Sequence, residues 1–296
     1  MLANNNKMII NKLAKNSVKS NKKQYGILFF TIVLSAFMLF CVFTIGLTYL
    51  DSSRLQNTRL NGAEYDITTM NGFTSKQVKS LQSNKNIQNV GMESYAGFIK
   101  SSEFDNTVEI GLLWCDETFW NNLMSPARTK LDGHYPQNKN ELMVTKDILK
   151  ACGNENLSVG DSIVLTYENN TGVHTDKFVI SGIWDGYGDK SAGFVSKNFY
   201  DETGYDLKND GILCIKLNRN YVLPTTIQSL EKSLNFSDRQ IFAPTDYIEN
   251  SFKLLLGICG LALVICLSAY LLIYNILYLS ISGKIRYYGL LQSLGM

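Results

Sequence analysis

Hydrophobic positions fall into two long uninterrupted runs with a stretch of short-period pattern between them. Residues 26–50 (GILFFTIVLSAFMLFCVFTIGLTYL) are 25 in number and carry no charge; residues 254–282 (LLLGICGLALVICLSAYLLIYNILYLSIS) are a further 29. At about 1.5 Å per residue each run exceeds the roughly 30 Å hydrocarbon core of a bilayer, so each predicts a spanning helix. Tyr25 and Tyr49 stand about 36 Å apart on such a helix, a spacing that suits two aromatic interface belts. A cleaved signal peptide would have a shorter apolar core ending in small residues. Here LTYLDSSRL follows, which favours an uncleaved anchor.

The middle of the chain alternates at strand and helix periods. Strands are predicted at 64–70 (EYDITTM), 90–99, 107–114 (TVEIGLLW), 161–167 (DSIVLTY), 177–184 (KFVISGIW) and 212–217 (ILCIKL). The segments SKQVKSLQ, ELMVTKDILK and TTIQSLEKSL predict short helices, with Thr74, Thr145 and Pro224 near their starts. Gly160-Asp161 and Asp185-Gly186 predict turns. The expected fold class is therefore a membrane protein with two transmembrane helices flanking a mixed α+β domain. At the N-terminus Ile10, Leu13, Ala14, Ser17 and Val18 share one helical face, and Lys12, Lys15, Lys19, Lys22 and Lys23 lie on the other. That pattern predicts a helix lying in an anionic membrane interface, with a disordered basic tail as the alternative.

Charge gives the layout a direction. All 26 acidic residues fall in 51–250, together with 19 of the 28 basic ones, so this segment has a net charge of −7 while both ends are basic. Lysines before the first span, and Lys284 and Arg286 after the second, predict that both termini are cytoplasmic and the acidic middle is extracellular. The same acidity argues against nucleic acid as its partner.

Candidate chemistry is sparse. His134 and His174 are the only histidines, with no acid or cysteine at metal-ligand spacing. Cys41, Cys259 and Cys266 lie in the spans; Cys115, Cys152 and Cys214 are odd in number and read as buried thiols rather than a disulfide framework. No nucleophile elbow, zinc-protease helix or phosphate loop occurs. No catalytic, cofactor or metal site is predicted. The spans carry no charge that would pass an ion, although Gly257, Gly260, Ala262, Ser268 and Ala269 would let the second pack closely against another helix.

Immediately after the second span comes GKIRYYGLLQSLGM. Leu290, Leu291 and Leu294 lie at i, i+1 and i+4, one face of a helix, while Arg286 and Gln292 lie elsewhere. Gly283 would supply a bend, so Lys284–Gly295 is predicted to form a short helix along the membrane surface.

This order of parts resembles the FtsX-like permeases, the membrane subunits of type VII (macrolide-exporter-like) ABC transporters. Their segment R-x-E-x-G-x-L-[RK]-x-[IL]-G is matched loosely by Arg286, Gly289 and Leu294-Gly295, with Tyr287 departing where the family often carries an acid. GHYPQNKNELMVTKDIL (133–149), LSVGDSIVL (157–165) and FVISGIW (178–184) resemble the family's run of G-x-x-P, VGD and F-x-V-x-G-I. The resemblance covers essentially the whole chain. It implies a non-catalytic permease subunit driven by a separate ABC ATPase, a second permease copy or half, and no cofactor. The layout becomes 1–24 basic helix, 25–50 first span, 51–251 extracellular domain, 252–281 second span and 282–296 ATPase-coupling segment. Lys284, Arg286, Tyr288, Gly289, Leu290, Leu291, Leu294 and Gly295 would form that contact. Movement of the spans would drive the extracellular domain for export or extraction of peptides, antibiotics or lipids, or for transmembrane signalling; no residue names the substrate. Because such permeases have further spans, the chain is expected to be a fragment, a truncated gene product or half of a split permease. A two-span receptor with an external ligand-binding domain is the main rival. Gly283, Gly289 and Gly295 recur every six residues, which does not suit the heptad-patterned helix such a receptor needs. A membrane-anchored hydrolase would need a nucleophile–histidine pair that the sequence does not offer.

Overall fold

Both uncharged runs lie inside longer helices in the computed structural model, which describes residues 7–100, 110–187, 192–283, 285, 289, 290 and 293. After α1 (Lys7–Ser20), helix α2 (Lys22–Asn61) continues for 40 residues, and at the other end α7 (Asp246–Ser282) continues for 37. The chain divides into two units, one of 1–50 with 254–296 and the other Asp51–Lys253, so each long helix contributes to both.

In the first unit many apolar side chains of both long helices are exposed, among them Phe30 (71%), Phe40 (67%) and Leu256 (65%). At about 25 cal/mol per Å² of apolar surface, water is a poor solvent for such helices and lipid a good one. These are transmembrane helices by length, composition and exposure. Close approach between them rests on a residue the small-residue pattern did not single out. A Cβ on Gly46 would meet Cδ1 and Cγ1 of Ile258 at 2.7 Å, whereas Gly257 and Gly260 face open space. Gly46→Val is expected to destabilise the detergent-solubilised chain by about 1–3 kcal/mol, the usual cost of overpacking. Gly257→Val should leave the same thermal-denaturation midpoint unchanged, and equal effects from the two would contradict this packing.

The second unit contains ten strands among the described residues: β1 (Ile67–Met70), β2 (Ile87–Lys100), β3 (Ile110–Cys115), β4 (Arg128–Gly133), β5 (Glu141–Val144), β6 (Ser162–Asn169), β7 (Gly172–Gly186), β8 (Ala192–Val195), β9 (Ile212–Leu217) and β10 (Ile241–Pro244). They order as β10-β1-β9-β2-β3-β8-β5-β7-β4, with β6 bridging β2 and β7. The pairings β2-β3-β8-β5-β7-β6-β2 close a ring, which leaves those six strands without a free edge. Its core is built from alternate apolar positions, including Leu112, Leu142, Ile163, Phe178 and Ile180, covered by α4 (Lys146–Ala151) and α5 (Lys197–Tyr200).

β2 is 14 residues long and leaves the ring to pair with β9, starting an open arm β9-β1-β10. Against that arm pack α3 (Ser75–Gln82), α6 (Pro224–Ser233) and the start of α7, burying Ile67, Leu81, Ile215, Leu217, Ile227, Leu230 and Ile248 together. Thr74 caps α3 through a full capping box with Gln77, Thr145 caps α4, and Pro224 occupies the first turn of α6.

Two local expectations are corrected. ELMVTKDILK is not one helix: Glu141–Val144 is strand β5, and the helix begins only after Thr145. Three consecutive buried apolar residues, Leu142, Met143 and Val144, cannot be told from a helical turn by period alone. Asp185-Gly186 is no turn but the paired end of β7, opposite Lys130 and Arg128. Of the segment expected to be a strand at 107–114, residues 107–109 lie outside the described residues. With its core closed in this way, Asp51–Lys253 expressed alone is expected to melt cooperatively without added metal; a zinc-dependent midpoint would overturn this.

Candidate functional site

Within the second unit, the ends of both long helices meet the sheet through a network of hydrogen bonds and ion pairs. α2 ends at Asn61, and Gly62 terminates it in the left-handed region at φ 68°. The chain then turns through buried Ala63 and Glu64, whose N–H donates to Leu123 O at 2.6 Å, and enters β1 after Asp66. β10 runs antiparallel beside β1, from Ile241 opposite Met70 to Pro244 opposite Ile67. Thr245 follows, and α7 starts at Asp246. The outgoing end of α2 and the incoming end of α7 are thus joined to neighbouring strands, at the same end of those strands.

An ion network ties this joint together. Lys216 on β9 is 5% exposed and Asp66 is 1% exposed. Lys216 Nζ lies 3.3 Å from Asp66 Oδ2 and 3.3 Å from Glu64 Oε1, and Arg54 on α2 reaches the same Glu64 oxygen at 3.9 Å. Asp66 Oδ2 also accepts the Leu217 N–H at 2.8 Å, and the Asp66 carbonyl accepts the Thr245 N–H at 2.8 Å. The path Arg54–Glu64–Lys216–Asp66–Thr245 therefore runs from the first helix, through the sheet, to the threshold of the second. Two cations and two carboxylates leave it formally neutral. Burial pushes the Asp66 carboxyl above its usual range, against the opposing pull of Lys216 and the Leu217 N–H. Just inside α7, Tyr247 donates to Asn220 O at 3.3 Å, and burial raises its hydroxyl to about 12.

Alternation explains the position of Lys216. Leu213, Ile215 and Leu217 face α3 and α6, so Cys214 and Lys216 take the opposite face of β9. A lysine inside the otherwise apolar ILCIKL and an acid leading into ITTM are the signals the sequence offers for this network, and neither residue is among the predicted candidates.

Groups with intrinsic reactivity are occupied in holding the fold. The Cys115 thiol is buried, which raises its pKa, and Tyr135 Oη accepts the Cys115 N–H at 3.0 Å. Asp116 accepts N–H groups from Met92 and Phe119 at 2.9 and 2.8 Å. His134 is exposed, and His174 stacks on Tyr167 and meets Thr171 Oγ1 at 2.8 Å. Cys214 is buried and Cys152 half-buried. Among the described residues no group of histidines, cysteines and acids is arranged to hold a metal ion.

The segments 133–149, 157–165 and 178–184 come together. Gly133 sits at φ 86° against β7, where a Cβ would be 2.2 Å from Ser181 O. Burial works to raise the Glu141 carboxyl, but N–H donors from Gln137 and Asn138 hold it below its usual range. Gly160 N–H donates to Ile180 O at 2.8 Å, and Ser158 N–H to Asp161 Oδ2 at 2.8 Å. These residues build turns and register. Of the predicted coupling residues, Lys284, Arg286, Tyr288, Leu291, Leu294 and Gly295 lie outside the described residues. Gly289 and Leu290 are helical, and Leu290 is 64% exposed.

No protein-family model and no curated protein matches the sequence. Solved structures with a similar fold include the periplasmic region of MacB from Actinobacillus actinomycetemcomitans (14% identity, 66% of this chain and 95% of that one, TM-score 0.43). The extracellular domain of the noncanonic ABC-type transporter YknZ from Gram-positive bacteria is another (11% identity, 60% of this chain and 98% of that one, TM-score 0.40). Likenesses at this depth fix neither a family nor an activity.

Proposed function

We propose that this chain is a permease subunit, or the N-terminal part of one, of an ABC transporter, and that it transmits movement rather than catalysing a reaction. The observation that carries this reading is the joint. Two unbroken helices pass from apolar spans into the sheet domain and end on adjacent strands, tied by Arg54, Glu64, Lys216, Asp66 and the Thr245 N–H. A push on either span would reach the sheet domain along the helix to which that span belongs. A separate ATPase acting on Lys284–Gly295 would supply the push, and the sheet domain would carry it to a partner or cargo outside. The sequence resemblance to FtsX-like permeases supports the ATPase as the partner class and a second permease copy or half as the other. The charge split supports cytoplasmic termini with 51–251 outside.

Two measurements test this. Purified from membranes under mild detergent, the full-length chain is expected to bring an ABC ATPase with it; recovery without one would sink the reading. In a cysteine-free background, a single cysteine at Asn170 is expected to react with an impermeant thiol reagent on intact cells, and one at Ser20 to be shielded. Labelling of Ser20 from outside would reverse the orientation.

A further inference from the structure

A cavity of about 440 Å³ opens at the far end of the β1–β10 ladder from the joint, between α3, the α6–β10 loop and the loop before β9. Its lining includes Lys76, Lys208 and Arg239 and no acidic residue. That composition runs against its surroundings, because 51–250 as a whole carries a net charge of −7. The acids beside these cations in sequence are turned to other uses or lie off the cavity. Asp206 accepts the Lys208 N–H at 3.1 Å and Asn209 Nδ2 at 3.3 Å, Asp210 accepts the Asp206 N–H at 2.9 Å, and Asp238 does not line it. None of the three cations forms an ion pair among the described residues. Arg239 is oriented instead by a neutral acceptor, with Nη2 donating to Asn209 Oδ1 at 2.9 Å.

The walls are fixed in advance of any ligand. Asn71 (φ 64°) and Asn235 (φ 45°), the non-glycine residues with positive φ among those described, both line the cavity. Such backbone persists only where its surroundings hold it. Asn71 Nδ2 donates to Arg239 O at 2.8 Å, so one strained residue anchors the backbone of the arginine. At the base, Gln240 Nε2 donates to Gly72 O at 2.7 Å, and Gln77 Nε2, on a residue only 7% exposed, donates to Leu234 O at 3.1 Å. Two side-chain amides thus tie α3 and the turn before it to the α6–β10 loop, and the Arg239–Asn209 bond ties that loop to the one before β9, with three cations among the lining residues.

We infer that this cavity is a binding site for a phosphate-bearing anion, held by Lys76, Lys208 and Arg239. Three cations without a lining acid favour a multiply charged anion over a single carboxylate, and Arg with two Lys supply the charge-assisted donors that phosphoryl oxygens accept. The inference does not depend on an ATPase partner. The same phosphate chemistry could reach the cavity on a soluble molecule or on a lipid headgroup.

The test uses the full chain in nanodiscs of zwitterionic lipid, titrated calorimetrically with pyrophosphate. Saturable binding is expected, weakened roughly tenfold or more in Lys76→Gln/Lys208→Gln/Arg239→Gln, because each removed charge takes a charge-assisted hydrogen bond with it. The three side chains are exposed, and an unchanged melting midpoint establishes that the variant is folded. Adding phosphatidate to the nanodiscs distinguishes the sources. If it weakens the wild-type titration, the headgroup is the ligand; if a soluble phosphomonoester alone competes, the ligand is free. No saturable binding by about 10 mM pyrophosphate, or binding that the triple variant retains, would overturn the site.

Discussion

Lys216→Met is expected to lower the stability of the isolated Asp51–Lys253 domain by about 3–5 kcal/mol near neutral pH, a fall of roughly 10 °C in its melting midpoint. The size follows from what is left behind. With Lys216 gone, Asp66 is 1% exposed with no cation beside it, and the Glu64 oxygen retains only Arg54 at 3.9 Å. Removing the charge as well, in Lys216→Met with Asp66→Asn, should recover most of the loss, since the asparagine oxygen can still accept the Leu217 N–H. The sign with pH is fixed by the direction of the Asp66 shift. A carboxyl whose folded pKa is raised adds stability below its unfolded value, near 3.9, and loses it as pH rises through the folded value. The deficit of Lys216→Met should therefore shrink as pH falls toward that of the protonated acid. A deficit that is flat with pH, or a double variant as unstable as the single one, would show that Asp66 and Lys216 are not coupled.

Much of the frame was legible because the signals were long or local. Uncharged runs of 25 and 29 residues define spanning helices whatever they pack against. Thr74 and Thr145 announced helix starts because a cap is satisfied within three residues. Strand ILCIKL matched β9 end to end because its neighbours supply two faces to bury. Of the four-residue strands described, β1 lies inside a predicted strand, whereas β8 and β10 owe their state to the strands beside them and the ELMV of β5 reads as part of the helix that follows it. The joint was illegible for the same reason at a larger scale. Asp66 and Lys216 are 150 residues apart, and only the pairing of β1 with β9 brings them together. A lysine within an apolar strand could have been flagged from sequence, but its partner could not be named. Nor could the cavity, whose cations come from three separate segments around residues 76, 208 and 239.

Leu290→Asp with Leu294→Asp is expected to abolish co-purification of the ATPase while leaving the full-length chain in the membrane. By spacing Leu290, Leu291 and Leu294 would share one face of a helix, and Leu290 is 64% exposed. A leucine fully buried in a contact contributes about 1.5–3 kcal/mol, and an aspartate in its place must also be stripped of water. Two such changes remove at least about 4 kcal/mol, close to a thousandfold in affinity, which no micromolar complex survives through purification. Gln292→Asp adds one of the same charges away from that face and should leave the complex intact, which separates a specific contact from a general response to acidity. Membrane insertion is unaffected in either case, because the uncharged run of 254–282 precedes all three positions. Should the double variant retain the proposed ATPase as tightly as the unaltered chain, Lys284–Gly295 is not the contact, and the lysines of α1 would be the next positions to alter.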